Sequence, residues 1–197
     1  GWKIDYLKYM VRTSLISGEP ELAKKYIRTL KKTLFYRGWA EKYEKIAGSG
    51  VGLIVSEMFA LDPKDRFYPY CANMNYKAFI KDYKQVTNLS HHFEVPILGQ
   101  LAFFFYDDGV NQKAEPNDLT IEGIRKLQAE VVMAAKKFSF AGFDGIQINM
   151  AHNFYLARFI NPYFNQREDK YGGNTENRVR ISSEIIKVIK KTMDLHV

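Results

Sequence analysis

Short apolar runs alternate with longer amphipathic segments along most of the chain. Three runs have the length and continuity of buried strands, and they cover residues 51–57, 95–105 and 143–149. Near-continuous apolar runs are typical of parallel strands that are covered on both faces. A weaker run at residues 9–15 predicts a first strand. The alternation indicates an α/β fold in which helices cover a parallel sheet.

The segments between these runs carry apolar residues at helical spacing. They predict helices over residues 20–36 and onward to 46, and over 76–92, 120–141 and 175–193. Thr120 and Asn174 precede two of these segments and are suited to cap them. Gly48 and Gly50 separate the long N-terminal helical segment from the run at 51–57, which predicts a helix stop there.

Composition narrows the class of protein. The 197 residues are 46% hydrophobic and 26% charged, which is the balance of a folded globular domain. The chain has neither an apolar run of about 18 residues nor the apolar core of a secretory signal. Its one cysteine, Cys71, excludes an internal disulfide and a cysteine-cluster metal site. We therefore expect one cytoplasmic domain over residues 1–197, with no membrane association and no metal.

The net charge of +7 raises the question of an anionic partner. Much of the excess lies at residues 24–32, on one face of the predicted helix over 20–36. Such a face is usually a solvated surface above a packed apolar stripe. No aromatic platform or groove-reading motif accompanies the charge, so a nucleic-acid partner is not expected.

Two α/β architectures compete at this point, the open doubly wound sheet and the (β/α)8 barrel. A dinucleotide-binding sheet carries a glycine-rich turn after its first strand, whereas Gly48 and Gly50 precede a strand. A phosphate-binding loop of the nucleoside triphosphatase type is also absent from the sequence. The pattern does not favour the open sheet with its nucleotide fingerprint.

The decisive segment is residues 141–180, AGFDGIQINMAHNFYLARFINPYFNQREDKYGGNTENRVR. It resembles the old yellow enzyme family, the flavin-dependent NADH:flavin oxidoreductases, in a long run of fixed spacings: Asn165, Arg167, Asp169, Tyr171, Gly172, Gly173, Glu176, Asn177, Arg178 and Arg180. The resemblance implies a (β/α)8 TIM barrel that is incomplete here. The chain corresponds to the family's N-terminal half, about four βα units, with a fifth strand about to begin after residue 193.

The resemblance also implies which residues bind substrate. Asn149 and His152 stand at the two positions whose side chains hold the oxygen of the substrate's activating group. Phe154 stands where family members commonly have a proton-donating tyrosine, and Tyr155 beside it is a candidate replacement. Arg167, Asp169, Glu176 and Arg178 are expected to pair with one another and fix the long loop before the last helix.

The family's cofactors are FMN and NAD(P)H. Gln100 matches a glutamine that hydrogen-bonds the flavin pyrimidine, and Met58 replaces a small residue near the flavin. Ser14 lies in the segment that resembles a shortened first strand, and it is a third candidate flavin contact. Phe103 stands where many members have histidine.

The resemblance therefore predicts an NAD(P)H-dependent flavin oxidoreductase that reduces activated C=C bonds of a small-molecule substrate. A half barrel has an open sheet edge and uncovered inner faces, which are a liability for association. Either another chain completes the barrel, or the chain is a truncated product or fragment, or the sheet closes differently; as partners we expect further copies of this chain or a complementary chain. The alternative is a non-catalytic remnant or binding module of the same fold, acting through the basic helix at residues 20–36.

Overall fold

The computed structural model describes residues 2–61, 72–103, 106 and 114–197. Two compact units make up the chain, Gly1–Gly50 and Val51–Val197. The sequence predicts one domain over residues 1–197, and that the two units act as one domain stays a prediction. Cys71 lies outside the described residues. Within the described part of the chain, no helix combines the length and apolarity that crossing a membrane requires.

The first unit is a pair of packed helices, α1 (Trp2–Ile16) and α2 (Pro20–Ala47). The strand predicted at residues 9–15 is wrong, because this segment is the second half of α1. The buried side chains of Leu7 and Ser14 are seven residues apart, which is two helical turns and places them on one face. The predicted helix stop is confirmed, since Gly48 caps α2 and Gly50 has a φ of 84°.

The second unit contains a four-stranded parallel sheet. Its strands are β1 (Ile54–Ala60), β2 (Ala72–Asn73), β3 (Ile97–Ala102) and β4 (Gly145–Ile148), in the spatial order β2-β1-β3-β4. The three apolar runs of the sequence thus form strands, with boundaries displaced by a few residues. The register between β1 and β3 shifts between Val55 and Met58, so β1 has an irregularity in its second half.

Helices follow the strands at the three places that the sequence predicts, and a further short helix, Tyr155–Ile160, lies where no helix is predicted. The helices are α3 (Phe79–His92), α4 (Ile121–Phe140), α5 (Tyr155–Ile160), α6 (Thr175–Arg178) and α7 (Arg180–Thr192). Both predicted caps are confirmed, because Thr120 accepts a hydrogen bond from the Gly123 amide and Asn174 accepts one from the Asn177 amide. The helix predicted over 175–193 is divided at Val179 into α6 and α7.

An aromatic cluster joins the helices to one face of the sheet. Phe59 of β1 is fully buried, and edge-on rings surround it with centroids 4.7–6.3 Å away: Phe79, Tyr83, Phe138 and Phe143. Gly99 of β3 permits this packing, because a Cβ there would overlap the Phe138 ring. The close approach of α4 therefore depends on glycine at this position.

His196 pairs with β4 through an isolated bridge. Gly145 forms a parallel bridge with His196, and the Ile146 amide donates to the His196 carbonyl at 2.7 Å. The His196 amide in turn donates to the Asp144 carbonyl at 3.1 Å. The sheet thus continues in the direction β1-β3-β4 with the next segment of the chain, which is the strand order of a barrel.

Candidate functional site

Three side chains form a row across the sheet near the carboxyl ends of the strands. Met58, Gln100 and Gln147 are register partners on β1, β3 and β4. The Gln100 side-chain amide donates to the side-chain carbonyl of Gln147. Because neighbouring residues of a strand point to opposite faces, this row lies on the face opposite the buried Phe59 and Leu101. It is the face that a completed barrel would enclose.

The irregularity in β1 determines which residue joins this row. Two residues of β1, Ser56 and Glu57, stand opposite the single residue Gly99 of β3, which is the geometry of a bulge. The Ser56 hydroxyl accepts a hydrogen bond from the Gln100 amide at 3.0 Å. Without the extra residue, the alternation along β1 would turn Met58 toward the helices.

Asn149 follows β4 and is held at both ends of its amide. Its backbone N–H donates to the Leu101 carbonyl at 2.9 Å, which extends the ladder by one residue. Its side-chain oxygen accepts from the Ala151 amide at 2.9 Å, and its side-chain nitrogen donates to the Met58 sulfur at 3.9 Å. Since the backbone N–H of Ala151 engages the side-chain oxygen, the groups that Asn149 presents to an approaching ligand are the N–H groups of its side-chain amide.

His152 occupies the exposed apex of the turn after Asn149. Its φ is 53° and that of Asn153 is 56°, so two successive non-glycine residues are in the left-handed region. Such backbone is strained and persists where surrounding contacts over-determine it. The imidazole is exposed, with its ring centroid 6.3 Å from that of Phe154.

Tyr155 is enclosed in a separate aromatic cluster. Its side chain is fully buried, and its backbone N–H donates to the Phe103 carbonyl at 2.9 Å. Ring centroids of its neighbours lie 5.7–5.9 Å away, and these neighbours are Phe103, Tyr106 and Phe159. Phe154 is buried as well. A role for Tyr155 in proton transfer would require its ring to leave this cluster.

The structure thus brings Asn149, Met58 and Gln100 together and places His152 three residues beyond Asn149. Ser14 is on α1 in the other unit, where its hydroxyl donates to the Met10 carbonyl at 2.8 Å. Its predicted location on a strand is therefore corrected to a helix, and its contact with flavin stays a prediction.

The long loop before α6 is fixed by buried polar contacts. The Arg167 guanidinium pairs with Asp169 and also donates to the backbone carbonyls of Pro116 and Leu119. The hydrogen bond from Arg167 lowers the pKa of Asp169 from its ordinary value. Gly172 is required here, because a Cβ would overlap the Arg167 carbonyl.

Two further side chains of this loop bond backbone carbonyls, and for Arg178 this differs from the expected ion pair. Arg178 donates to the carbonyls of Ile160 and Gly173, whereas pairing with Glu176 was expected. Asn165 is buried and donates from one amide to the carbonyls of Phe159 and Tyr171, at 2.6 and 2.8 Å. Both arrangements satisfy backbone carbonyls inside the loop, which spacing of charged residues does not reveal.

The donor set is consistent with a planar heterocycle. Gln100 carries both a donor and an acceptor on one amide, which matches the alternating N–H and C=O groups of a flavin pyrimidine edge. Met58 adds an apolar and polarizable contact beside it. In the described ranges, no three histidine, cysteine, aspartate or glutamate side chains cluster in a way that could hold a metal ion.

Sequence comparisons identify relatives for both units. Residues 101–196 match the NADH:flavin oxidoreductase / NADH oxidase family, and residues 3–51 match a family of unknown function. An NADPH dehydrogenase of Listeria welshimeri is 42% identical over 89 residues, which are 45% of this chain and 25% of that protein. An NADPH dehydrogenase of Bacillus subtilis is 31% identical over 161 residues, which are 73% of this chain and 46% of that protein.

Solved structures give the same result for the fold. Old yellow enzyme from Pichia superimposes with a TM-score of 0.71 and 24% identity, covering 79% of this chain and 48% of that one. The old yellow enzyme homologue from Zymomonas mobilis superimposes with a TM-score of 0.70 and 25% identity, covering 79% and 50%. The chain thus spans at most about half the length of these relatives. Over the part that the comparisons cover, the chain belongs to the old yellow enzyme family of flavin oxidoreductases.

Proposed function

We propose that this chain supplies the first half of an FMN-dependent (β/α)8 barrel that reduces activated C=C bonds with NAD(P)H in the cytoplasm. The observation that carries the proposal is the amide of Asn149. Its oxygen is held by the Ala151 N–H and its nitrogen lies on the same face as Gln100 and Met58. An amide fixed in this way donates hydrogen bonds to an anionic or carbonyl oxygen and does not compete for a donor.

Each residue of the site has a distinct part in this proposal. Gln100 would hold the pyrimidine edge of FMN, and Met58 would lie against its ring system. Asn149 and His152 would donate hydrogen bonds to the oxygen that activates the substrate alkene, and thereby stabilise the negative charge that develops there. FMN, when bound, supplies the hydride-transfer chemistry between the nicotinamide and the substrate.

Protonation of the substrate is the step for which this chain lacks the usual group. Phe154 has no proton to donate, and the Tyr155 ring is fully buried. Solvent water would therefore protonate the alkene carbon that has not received the hydride. This protonation would be slow compared with protonation by a positioned general acid.

Binding of FMN would depend on a second polypeptide segment that completes the barrel. A fixed anion site for the phosphate and the contacts to the pyrimidine together orient such a cofactor. Val55, exposed to 40%, and Gln147 lie on the uncovered face of the sheet, where the remaining strands would pack. The strands of a completing half would cover this face, and a second copy or a complementary chain is one source of such strands.

Flavin titration of the chain with and without a complementing half tests the proposal. The full chain is mixed with the C-terminal half of the Bacillus subtilis NADPH dehydrogenase, and FMN binding is followed by quenching of flavin fluorescence. We expect millimolar or undetectable affinity for the chain alone and at least tenfold tighter binding for the pair. Gln100→Ala should remove most of that gain, whereas Gln128→Ala on α4 should not. Equal affinity of the chain with and without its complement would contradict the proposal.

A second candidate function rests on the first unit. Residues 1–50 form a compact unit of their own, and a family of unknown function matches residues 3–51. We propose, as the alternative, that the chain is a non-catalytic binding module that acts through the basic residues of α2. Failure of the complementation experiment together with retained folding would favour this alternative.

A further inference from the structure

Arg158 of α5 joins two loops at the carboxyl end of the sheet. Its Nε donates to the Asn153 carbonyl at 3.0 Å, and its Nη1 donates to Glu115 Oε1 at 2.6 Å. The guanidinium carbon also lies 5.7 Å from the centroid of the Phe164 ring. The Arg158 side chain is only 11% exposed and that of Glu115 is 43% exposed, so this ion pair is partly buried and is screened less than a fully exposed pair. The bond from Arg158 to the Asn153 carbonyl is exposed.

The Asn153 carbonyl belongs to the strained turn that carries His152. His152 and Asn153 are both in the left-handed region, which is uncommon for non-glycine residues, although asparagine and histidine adopt it more readily than most, and two in succession benefit from contacts that hold the turn. The turn is also closed by the bond from the Phe154 amide to the Ala151 carbonyl at 2.9 Å. Arg158 therefore anchors the end of the turn to a helix, while Asn149 anchors its beginning to the sheet.

Glu115 fixes the guanidinium from the other side. It lies in the connection between β3 and α4, so the ion pair links the loop after β3 to the loop after β4. A guanidinium presents several donors in one rigid plane, which lets it bond the carbonyl and the carboxylate together. A lysine at this position could not reproduce both contacts in the same geometry.

From these contacts we infer that Arg158 is a positioning residue for His152, held in place by Glu115. It maintains the left-handed turn and thereby keeps the imidazole at the apex of the loop that begins with Asn149. This inference rests on the proposed function, because it gives His152 a role in binding the substrate oxygen. It adds that the position of His152 is determined by an ion pair outside the row of Met58, Gln100 and Gln147.

Hydrogen exchange of the full chain tests the positioning role without requiring activity. Arg158→Gln should accelerate exchange of the Phe154 amide at least tenfold, because its acceptor Ala151 belongs to the released turn. Amides of the sheet, such as Leu101 on β3 and Ile146 on β4, should keep the wild-type rate. Arg125→Gln is the matched control, since Arg125 is an exposed arginine of the same unit and pairs with Glu122 on its own helix.

Two further substitutions, one at the ion-pair partner Glu115 and one conservative replacement of Arg158, show whether the effect is specific to this ion pair. Glu115→Gln should accelerate the same amide, and the double variant should add little to either single one, because both substitutions release the same contact. Arg158→Lys should restore less than half of the lost protection. If Arg158→Gln does not fold, Glu115→Gln alone decides the outcome. Unchanged exchange at Phe154 in the folded variants, or equal acceleration throughout the sheet, would overturn the inference.

Steady-state and half-reaction kinetics of the complemented barrel can test the role of Arg158 separately from the proposed function. Arg158→Gln should raise KM for an enone about tenfold and change the rate of flavin reduction by NAD(P)H less than twofold. Absence of enone reduction in the wild-type pair would contradict the proposed function and leave the exchange result to decide the role of Arg158. Local acceleration of exchange with unchanged KM in an active pair would contradict the assignment of Arg158 to the positioning of His152.

Discussion

The side-chain nitrogen of Asn149 reaches the sulfur of Met58 at 3.9 Å, across the intervening strand β3. A residue after β4 and a residue of β1 therefore share one space on the inner face of the sheet. A thioether accepts hydrogen bonds weakly, so this contact leaves the amide available to a stronger acceptor. Met58 also fills volume that an alanine would leave open, beside the amide of Gln100.

Met58→Ala should weaken flavin binding in a completed barrel. The substitution removes the apolar contact beside Gln100, and a contact between a thioether and an aromatic ring is worth about 0.3–1.5 kcal/mol, or up to roughly tenfold in affinity. Val55→Ala is the control, because Val55 lies on the same face two register positions away from Gln100. Flavin fluorescence titration measures both variants. Binding by Met58→Ala as tight as that of the wild type would contradict a contact between Met58 and the flavin.

Phe154→Tyr and His152→Ala separate protonation from polarisation of the substrate. A tyrosine hydroxyl in place of Phe154 should accelerate turnover of an enone, since a positioned general acid typically contributes about 10²- to 10⁴-fold. If the completed barrel buries the substrate oxygen, His152→Ala should weaken substrate binding by about 1–3 kcal/mol, because that oxygen then loses a donor. Stopped-flow measurement of the oxidative half-reaction distinguishes the two effects. The assignment of His152 would be wrong if its replacement changed neither affinity nor rate.

The isolated chain should associate in solution. One face of the sheet is uncovered, and Val55 on that face is 40% exposed. Val55→Lys should reduce association, because a charge on an open sheet opposes contact with another chain. Val188→Lys on α7, where the valine is 44% exposed, is the matched control and should have no such effect. A monodisperse particle of 22.9 kDa in light scattering of the wild type would contradict this prediction.

Tyr171 should make stability depend on alkaline pH. Its hydroxyl donates to Glu184 at 2.9 Å, and burial together with this carboxylate raises the pKa of Tyr171 from 10.0 to about 12. Between these values the unfolded chain ionises and the folded chain does not. The stabilisation of the folded state by protonated Tyr171 is therefore complete below pH 10, and it is lost as the pH rises toward 12.

Chemical denaturation from pH 9 to 12 measures this contribution. Over this range the free energy of unfolding of the wild type should fall by up to about 2 kcal/mol more than that of Tyr171→Phe, because a shift of one pKa unit corresponds to about 1.4 kcal/mol. Tyr163→Phe serves as the control, since Tyr163 is 78% exposed. Parallel curves for the wild type and Tyr171→Phe would show that ionisation of Tyr171 is not coupled to folding.

Local signals in the sequence predicted the parts of the fold that depend on few residues. Thr120 and Asn174 cap their helices because the cap needs only a side-chain oxygen and an amide three residues later. The segment around Ser14 was misassigned, since its short apolar run fits a strand or a helix and the packing of α1 on α2 decides between them.

The candidate site was predictable only as far as the family resemblance reached. Gln100 and Asn149 could be assigned by position, but the bulge that brings Met58 beside them depends on pairing between β1 and β3. The burial of Tyr155 and the two contacts of Arg158 are tertiary, with partners such as Glu115 distant in the sequence. Neither leaves a signal in spacing or periodicity.

The order in which the strands pair has a consequence for synthesis on the ribosome. β2 and β3 both pair with β1, and β4 pairs with β3, so every strand finds a partner that has already been translated. The connections from β1 to β3 and from β3 to β4 are long crossovers, but the entropic cost of closing a loop grows only slowly with its length. The sheet can thus grow strand by strand as the polypeptide emerges, and nascent chains of increasing length should acquire protease-resistant cores in discrete steps.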